Sequence, residues 1–110
     1  MSHVTTHVLD AVAGVPAAGI AVTLSRRGAE GWEPVAQGLT DADGRVRELG
    51  PDVLDDGVYQ VRFETGIYFA KRQVETFYPE VEIAFSVAGG DHYHVPLLLS
   101  PFAYSTYRGS

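Results

Sequence analysis

The chain has 110 residues, no cysteine, and a net charge of −6 from 8 basic and 14 acidic side chains. That length predicts one domain over residues 1–110, large enough to bury a core without staples. The missing cysteine excludes disulfides, thiolate nucleophiles and thiolate metal ligands. The absence of a basic stripe argues against a nucleic-acid partner, whose phosphates need clustered Lys and Arg.

Val4 to Asp10 alternates, with Val4, Thr6 and Val8 on one side and Thr5, His7 and Leu9 on the other, the period of a two-faced strand. Gly14, Pro16 and Gly19 mark a loop. Ile20, Val22 and Leu24 alternate with Ala21, Thr23 and Ser25 as a second strand, and Gly28 to Gly31 turns the chain. Trp32 to Gln37 reads as a third strand, kept from central pairing by Pro34. Thr40-Asp41-Ala42-Asp43-Gly44-Arg45 is a tight turn in which Asp-Gly supplies the left-handed position. Only a short strand fits Val46 to Leu49.

Val58 to Glu64 alternates again, with Tyr59, Val61 and Phe63 inward. Ile67, Tyr68, Ala70, Lys71 and Val74 have near-helical spacing, so one short helix is expected within Thr65 to Glu75, ended before Pro79. Val81, Ile83, Phe85 and Val87 share a strand face, and Gly89-Gly90 turns the chain. His92 to Leu99 is a strand, Ser100-Pro101 a corner, and Phe102 to Arg108 the last strand. About eight short strands and one helix predict an all-β, antiparallel two-sheet β-sandwich. No long apolar run lies between Met1 and Asp10, so no export signal or membrane partner is expected. The C-terminus carries no targeting or lipidation motif, and a cytoplasmic location is the default expectation.

The strand ending at Leu99 divides its labour. Tyr93, Val95, Leu97 and Leu99 suit a core. His92, His94, Pro96 and Leu98, on the other face, are too apolar for solvent and too polar for a core. Such a face suits a pocket or a subunit interface. His7 and Leu9 repeat the mixture on the first strand, and Ser105 and Tyr107 on the last. The chain then closes on Tyr107-Arg108-Gly109-Ser110: a phenol, a guanidinium, a glycine and a hydroxyl, groups able to position a small polar molecule. His3 reads as a terminal-tail residue, Asp10 as the holder of a turn, and Tyr59, Tyr93 and Tyr104 as core aromatics. Arg47, Arg62 and Arg72 read as turn residues or surface ion-pair partners.

On three anchors the chain resembles the transthyretin-like proteins, and among them the 5-hydroxyisourate hydrolases of purine degradation. The anchors are Thr6-His7-Val8-Leu9-Asp10, the Thr40 to Arg45 turn, and His92-Tyr93-His94-Val95-Pro96-Leu97-Leu98-Leu99-Ser100-Pro101 running on to Tyr104 and Ser110. The resemblance covers the whole chain with no departure at a motif position. It implies a two-sheet sandwich, a homotetramer built as a dimer of dimers, and active sites in a channel between dimers. The implied reaction is hydrolysis of the N1–C6 amide of 5-hydroxyisourate, giving 2-oxo-4-hydroxy-4-carboxy-5-ureidoimidazoline without a cofactor or metal. The family's catalytic set falls on His7, Arg45 and His94. Tyr107, Arg108, Gly109 and Ser110 shape the substrate site, with His92 as a neighbour.

The chemistry is consistent on its own terms. Opening a cyclic amide needs an activated water, a stabilised oxyanion and a proton for the leaving nitrogen. An imidazole exchanges protons near neutrality. An arginine stays charged and braces an oxyanion or an anionic ring. Either His7 or His94 can serve as the base on this reading. His-x-His is also metal-ligand spacing, which His7 could complete. Two other functions compete: a transthyretin-type small-ligand carrier without turnover, and a secreted adhesion-type module, which would not group its histidines.

Overall fold

Two sheets face each other in the computed structural model, which describes residues 2–110. In chain order the elements are β1 (Val4–Asp10), β2 (Val15–Pro16), β3 (Ala21–Gly28), β4 (Gly31–Leu39), β5 (Arg45–Val46), β6 (Gly57–Phe63), α1 (Thr65–Lys71), β7 (Val81–Val87), β8 (Tyr93–Ser100) and β9 (Ala103–Thr106). One sheet runs β2-β1-β8-β9, with β5 also paired to β1; the other runs β4-β3-β6-β7. The expected sandwich with one short helix is present. Its pairs are antiparallel except β1 with β8, which run parallel in the register Thr5 with His94 and His7 with Pro96.

The alternation of the sequence becomes the two faces of each sheet. Val4, Val8, Val95, Leu97 and Leu99 from one sheet meet Val22, Leu24, Tyr59, Val61, Phe63 and Val81 from the other, all buried in one apolar cluster. Thr6 sits among them with no exposure, and its hydroxyl donates to the Val95 carbonyl at 2.6 Å. That bond removes the cost of burying a polar group. Pro34 lies on β4, an edge strand, where a missing N–H is tolerated. The β3–β4 register shifts by one residue beside it, so Ser25 opposes Pro34 while Leu24 opposes Ala36.

Asp10 holds the turn after β1, as expected. Its Oδ1 accepts from the N–H groups of Val12 and Ala13, and its Oδ2 accepts from the Tyr68 hydroxyl at 2.8 Å, which ties α1 to the end of β1. Burial, together with that carboxylate, pushes the Tyr68 phenol up to about 12. Arg62 pairs with Glu64 at 2.7 Å, whereas the Arg72 guanidinium lies 3.7 Å over the Tyr68 ring.

Two expectations are corrected. His3 is no tail residue: it is 4% exposed. Its Nδ1 accepts from Leu54 N–H at 2.7 Å, and its Nε2 lies 2.6 Å from the Asp91 carbonyl. Because Nδ1 must accept from a backbone N–H, the proton resides on Nε2, which donates to Asp91. The imidazole therefore staples two loops that sequence places far apart. Tyr104 is no core aromatic either. It lies on the edge strand β9, is 41% exposed, and packs edge-on against Tyr78.

Candidate active site

The outer face of the first sheet gathers the histidines. Parallel pairing of β1 with β8 sets Thr5 beside His94 and puts His7 one step further along the same face. The His7 and His94 rings stand 6.5 Å apart, centroid to centroid, tilted by 31°. Arg45 arrives from β5, paired directly across from His7.

The Asp-rich turn explains why Arg45 lies there. Asp41 Oδ1 accepts from the N–H groups of Asp43 and Arg45, at 2.9 and 3.0 Å. Gly44 has φ +75°, and a Cβ at that position would fall 2.4 Å from the Val8 carbonyl oxygen, so only glycine lets the turn lie this close to β1. The Gly44 carbonyl then accepts from Val8 N–H at 2.7 Å, docking the turn. These bonds, chiefly the one from Arg45 N–H, hold the Asp41 carboxyl below the usual carboxylate range. Arg47 takes the Asp41 carboxylate at 2.7 Å and lies 3.4 Å from that of Asp43.

Burial, and then the positive charge of Arg45, hold both imidazoles below the ordinary histidine value. A backbone hydrogen bond to Asp43 and the charges of Asp41 and Asp43 oppose this at His7. At His94 the neighbouring His7 and His92 act in the same direction as Arg45. Two imidazoles biased towards the neutral form beside a fixed cation can take a proton from water and stabilise negative charge on an oxygen.

His92, exposed just before β8, contacts the same hydroxyl as His94: Thr5 Oγ1 lies 3.0 Å from His92 Nε2 and 2.8 Å from His94 Nδ1. Thr5 escaped the sequence reading as a site residue, although period two already put it on the His7 face.

The terminal segment divides. Gly109 N–H donates to the His94 carbonyl at 2.9 Å in an isolated bridge, which lays Gly109 against the His94 ring. The Arg108 guanidinium lies 4.5 Å over the Tyr93 ring, and Tyr107 is 60% exposed. Ser110, exposed, follows Gly109. A cavity of about 350 Å³ opens between this segment and β7, with Ile83, Phe85, Tyr93, His94 and Arg108 in its walls. Its walls come from β7, from β8 and from the segment after it that holds Thr106, Tyr107 and Arg108; of His7, Arg45 and His94, only His94 lines it. Among the described residues, no group of three or more His, Cys, Asp or Glu side chains is disposed to hold a metal ion.

The profile of the HIUase/Transthyretin family matches residues 4–109. The chain belongs to that family. A relative from Caulobacter vibrioides named 5-hydroxyisourate hydrolase is 45% identical over 115 residues, covering all of both chains. The Mus musculus protein of the same name is 43% identical over 113 residues, covering 99% of this chain and 96% of its own. The structure of Klebsiella pneumoniae 5-hydroxyisourate hydrolase superimposes with a TM-score of 0.88 at 40% identity, over 97% of this chain and 98% of that one. Transthyretin from Sparus aurata superimposes with a TM-score of 0.92 at 35% identity, over 99% and 97%. The family fold thus serves proteins of both names, and the chemistry of the site must distinguish them.

Proposed function

We propose that this member of the HIUase/transthyretin family is a 5-hydroxyisourate hydrolase, opening the N1–C6 amide of its purine-derived substrate in urate degradation. The observation that carries the reading is the convergence of His7, His94 and Arg45 on one sheet face, with both imidazoles held neutral by burial and by Arg45. A carrier pocket for an aromatic ligand has no need of two bases beside a guanidinium.

In this scheme one imidazole removes a proton from water, and the resulting hydroxide attacks the C6 carbonyl. Arg45 stabilises the oxyanion as the tetrahedral intermediate forms. The imidazolium returns its proton to N1 as the C6–N1 bond breaks, so the ring opens to a carboxylic acid, which then releases its proton to solvent and leaves a carboxylate. His92, Tyr107, Arg108, Gly109 and Ser110 shape the substrate site, Gly109 by packing on His94. No metal or cofactor enters the scheme.

The working form is a homotetramer, a dimer of dimers. Support comes from the outer sheet face, where Leu98 is 36% exposed beside buried Pro96, and from β7 and β9, which end their sheets. Leu98, exposed on the face that carries the histidines, is suited to cover by a second copy, which also excludes water from the reaction. A cytoplasmic place of action belongs to the same proposal. None of the described helices is long and apolar enough to cross a membrane.

The test is turnover by His7→Asn, Arg45→Ala and His94→Asn. Each is expected to keep the fold and lose about two orders of magnitude or more, the scale of a lost acid–base or oxyanion group. Three folded variants with near-full activity would refute the assignment.

A further inference from the structure

Thr5 is buried at 8% exposure, and its side-chain oxygen touches two imidazoles at once. A hydroxyl has one hydrogen to donate and lone pairs to accept with. It can donate to only one of the two rings. For both contacts to be hydrogen bonds, at least one facing nitrogen must carry a proton, and whenever Thr5 donates to one ring the other ring must donate to Thr5. The protonation of His94 Nδ1 and of His92 Nε2 is therefore linked through a single rotatable O–H.

We propose that Thr5 is a positioning residue that fixes the tautomer of His94 and couples its protonation to His92. The inference rests on the hydrolytic reading of the site. In one arrangement His94 Nδ1–H donates to Thr5, and Thr5 donates to His92 Nε2. His94 Nε2, on the far side of the ring, then presents a lone pair, the form a general base requires. In the other arrangement Thr5 donates to His94 Nδ1, His92 Nε2–H donates to Thr5, and His94 Nε2 carries a proton, the form an acid requires.

The two arrangements interconvert without loss of atoms or charge. His94 Nε2 takes a proton from water, leaving hydroxide for the carbonyl. The His94 Nδ1 proton passes to Thr5 Oγ1, and the Thr5 hydroxyl proton passes to His92 Nε2. The positive charge has moved from a partly buried ring that faces Arg45 and His7 to one exposed to water, and His94 is left as a neutral N–H donor for the leaving nitrogen. Reversal of the same two transfers resets the site. A valine at position 5 would fill the same volume and support the same strand, so the hydroxyl has no need in the fold that a β-branched apolar residue would not meet.

The experiment compares Thr5→Val, which deletes the hydroxyl at constant shape, with Thr5→Ser, which keeps it. Thr5→Ala gives a second deletion should the valine variant fail to fold. Histidine ¹⁵N NMR without substrate reports tautomers and titration directly. In the unaltered protein and in Thr5→Ser, His92 and His94 should titrate as a coupled pair with His94 in one tautomer. In Thr5→Val the two should titrate independently, with both His94 tautomers populated. With freshly generated 5-hydroxyisourate, kcat of Thr5→Val should fall roughly ten- to a hundredfold, the scale for removing a partner that orients a working histidine. KM should stay close to its original value, and Thr5→Ser should regain most of the rate. A folded Thr5→Val protein with unchanged kcat and unchanged His94 tautomer would overturn the proposal. If the unaltered protein does not turn the substrate over, the functional reading fails, and the NMR comparison alone decides the role of Thr5.

Discussion

Gly109 lies flat against the imidazole of His94: a Cβ on Gly109 would fall 2.5 Å from His94 Cδ2 and 3.2 Å from Pro96 Cγ. The same glycine donates its N–H to the His94 carbonyl, so the backbone of the terminal segment and the ring of the proposed base are fixed against each other. The ring cannot yield freely, because its Nδ1 is held by Thr5 on the other side.

Gly109→Ala should therefore move the His94 ring without unfolding the sandwich. A displacement of about 1 Å at a reacting group can cost on the order of a hundredfold in rate. Loss of turnover with unchanged thermal stability is the expected outcome. An alanine variant with full activity would show that the packing of Gly109 on His94 is incidental.

The two lowered imidazoles set a pH dependence. Since His7 and His94 titrate below about 6.5, the acid limb of kcat/KM should lie below that value. Arg45→Ala removes the second cause of the depression and leaves burial, so both titrations should move upward part of the way, read by histidine NMR. The stability sign follows. The unfolded chain binds these protons first, so the stability tied to neutral His7 and His94 is present above about 6.5 and is lost as pH falls through their folded values.

His3→Ala should destabilise the protein by about 2 kcal/mol, the net worth of two hydrogen bonds, measured by denaturant titration. The bonds to Leu54 and Asp91 join two loops, and the second loop leads into β8. His3→Asn should recover only part of the loss, because an amide cannot reach both partners in the same geometry.

Much of the fold was legible because alternation is a local signal. Tyr59, Val61 and Phe63 read as one buried face of β6 and are buried. The edge position of β4 followed from Pro34 alone. What the sequence does not carry is which strands meet. The parallel union of β1 with β8 joins residues 4–10 to 93–99, and no local pattern announces that long-range pairing. For the same reason His3 looked like a polar end: its partners lie some fifty and ninety positions away. Tyr104 looked like core because its strand alternates, but an edge strand has no neighbour on one side. Within the site, His7, Arg45 and His94 were legible as residues, while Thr5 was not, since a threonine in a strand is ordinary until two histidines are found on its hydroxyl.

Assembly can be checked without substrate. Light scattering at micromolar concentration should give four times the chain mass of 11.9 kDa. A monomer would leave Leu98 on the outer face of β8 in water and would remove the water exclusion invoked for the reaction. Leu98→Glu, on that face, should lower the mass and the activity together.

Turnover itself is the most direct test. Purified protein is mixed with freshly generated 5-hydroxyisourate, and loss of the intact ring is compared with its spontaneous decay and with the His94→Asn variant. The account predicts many substrate molecules opened per protein chain, and decay near the spontaneous rate with the variant. Saturable binding of the intact ring with no acceleration of its opening would contradict the account and favour a carrier.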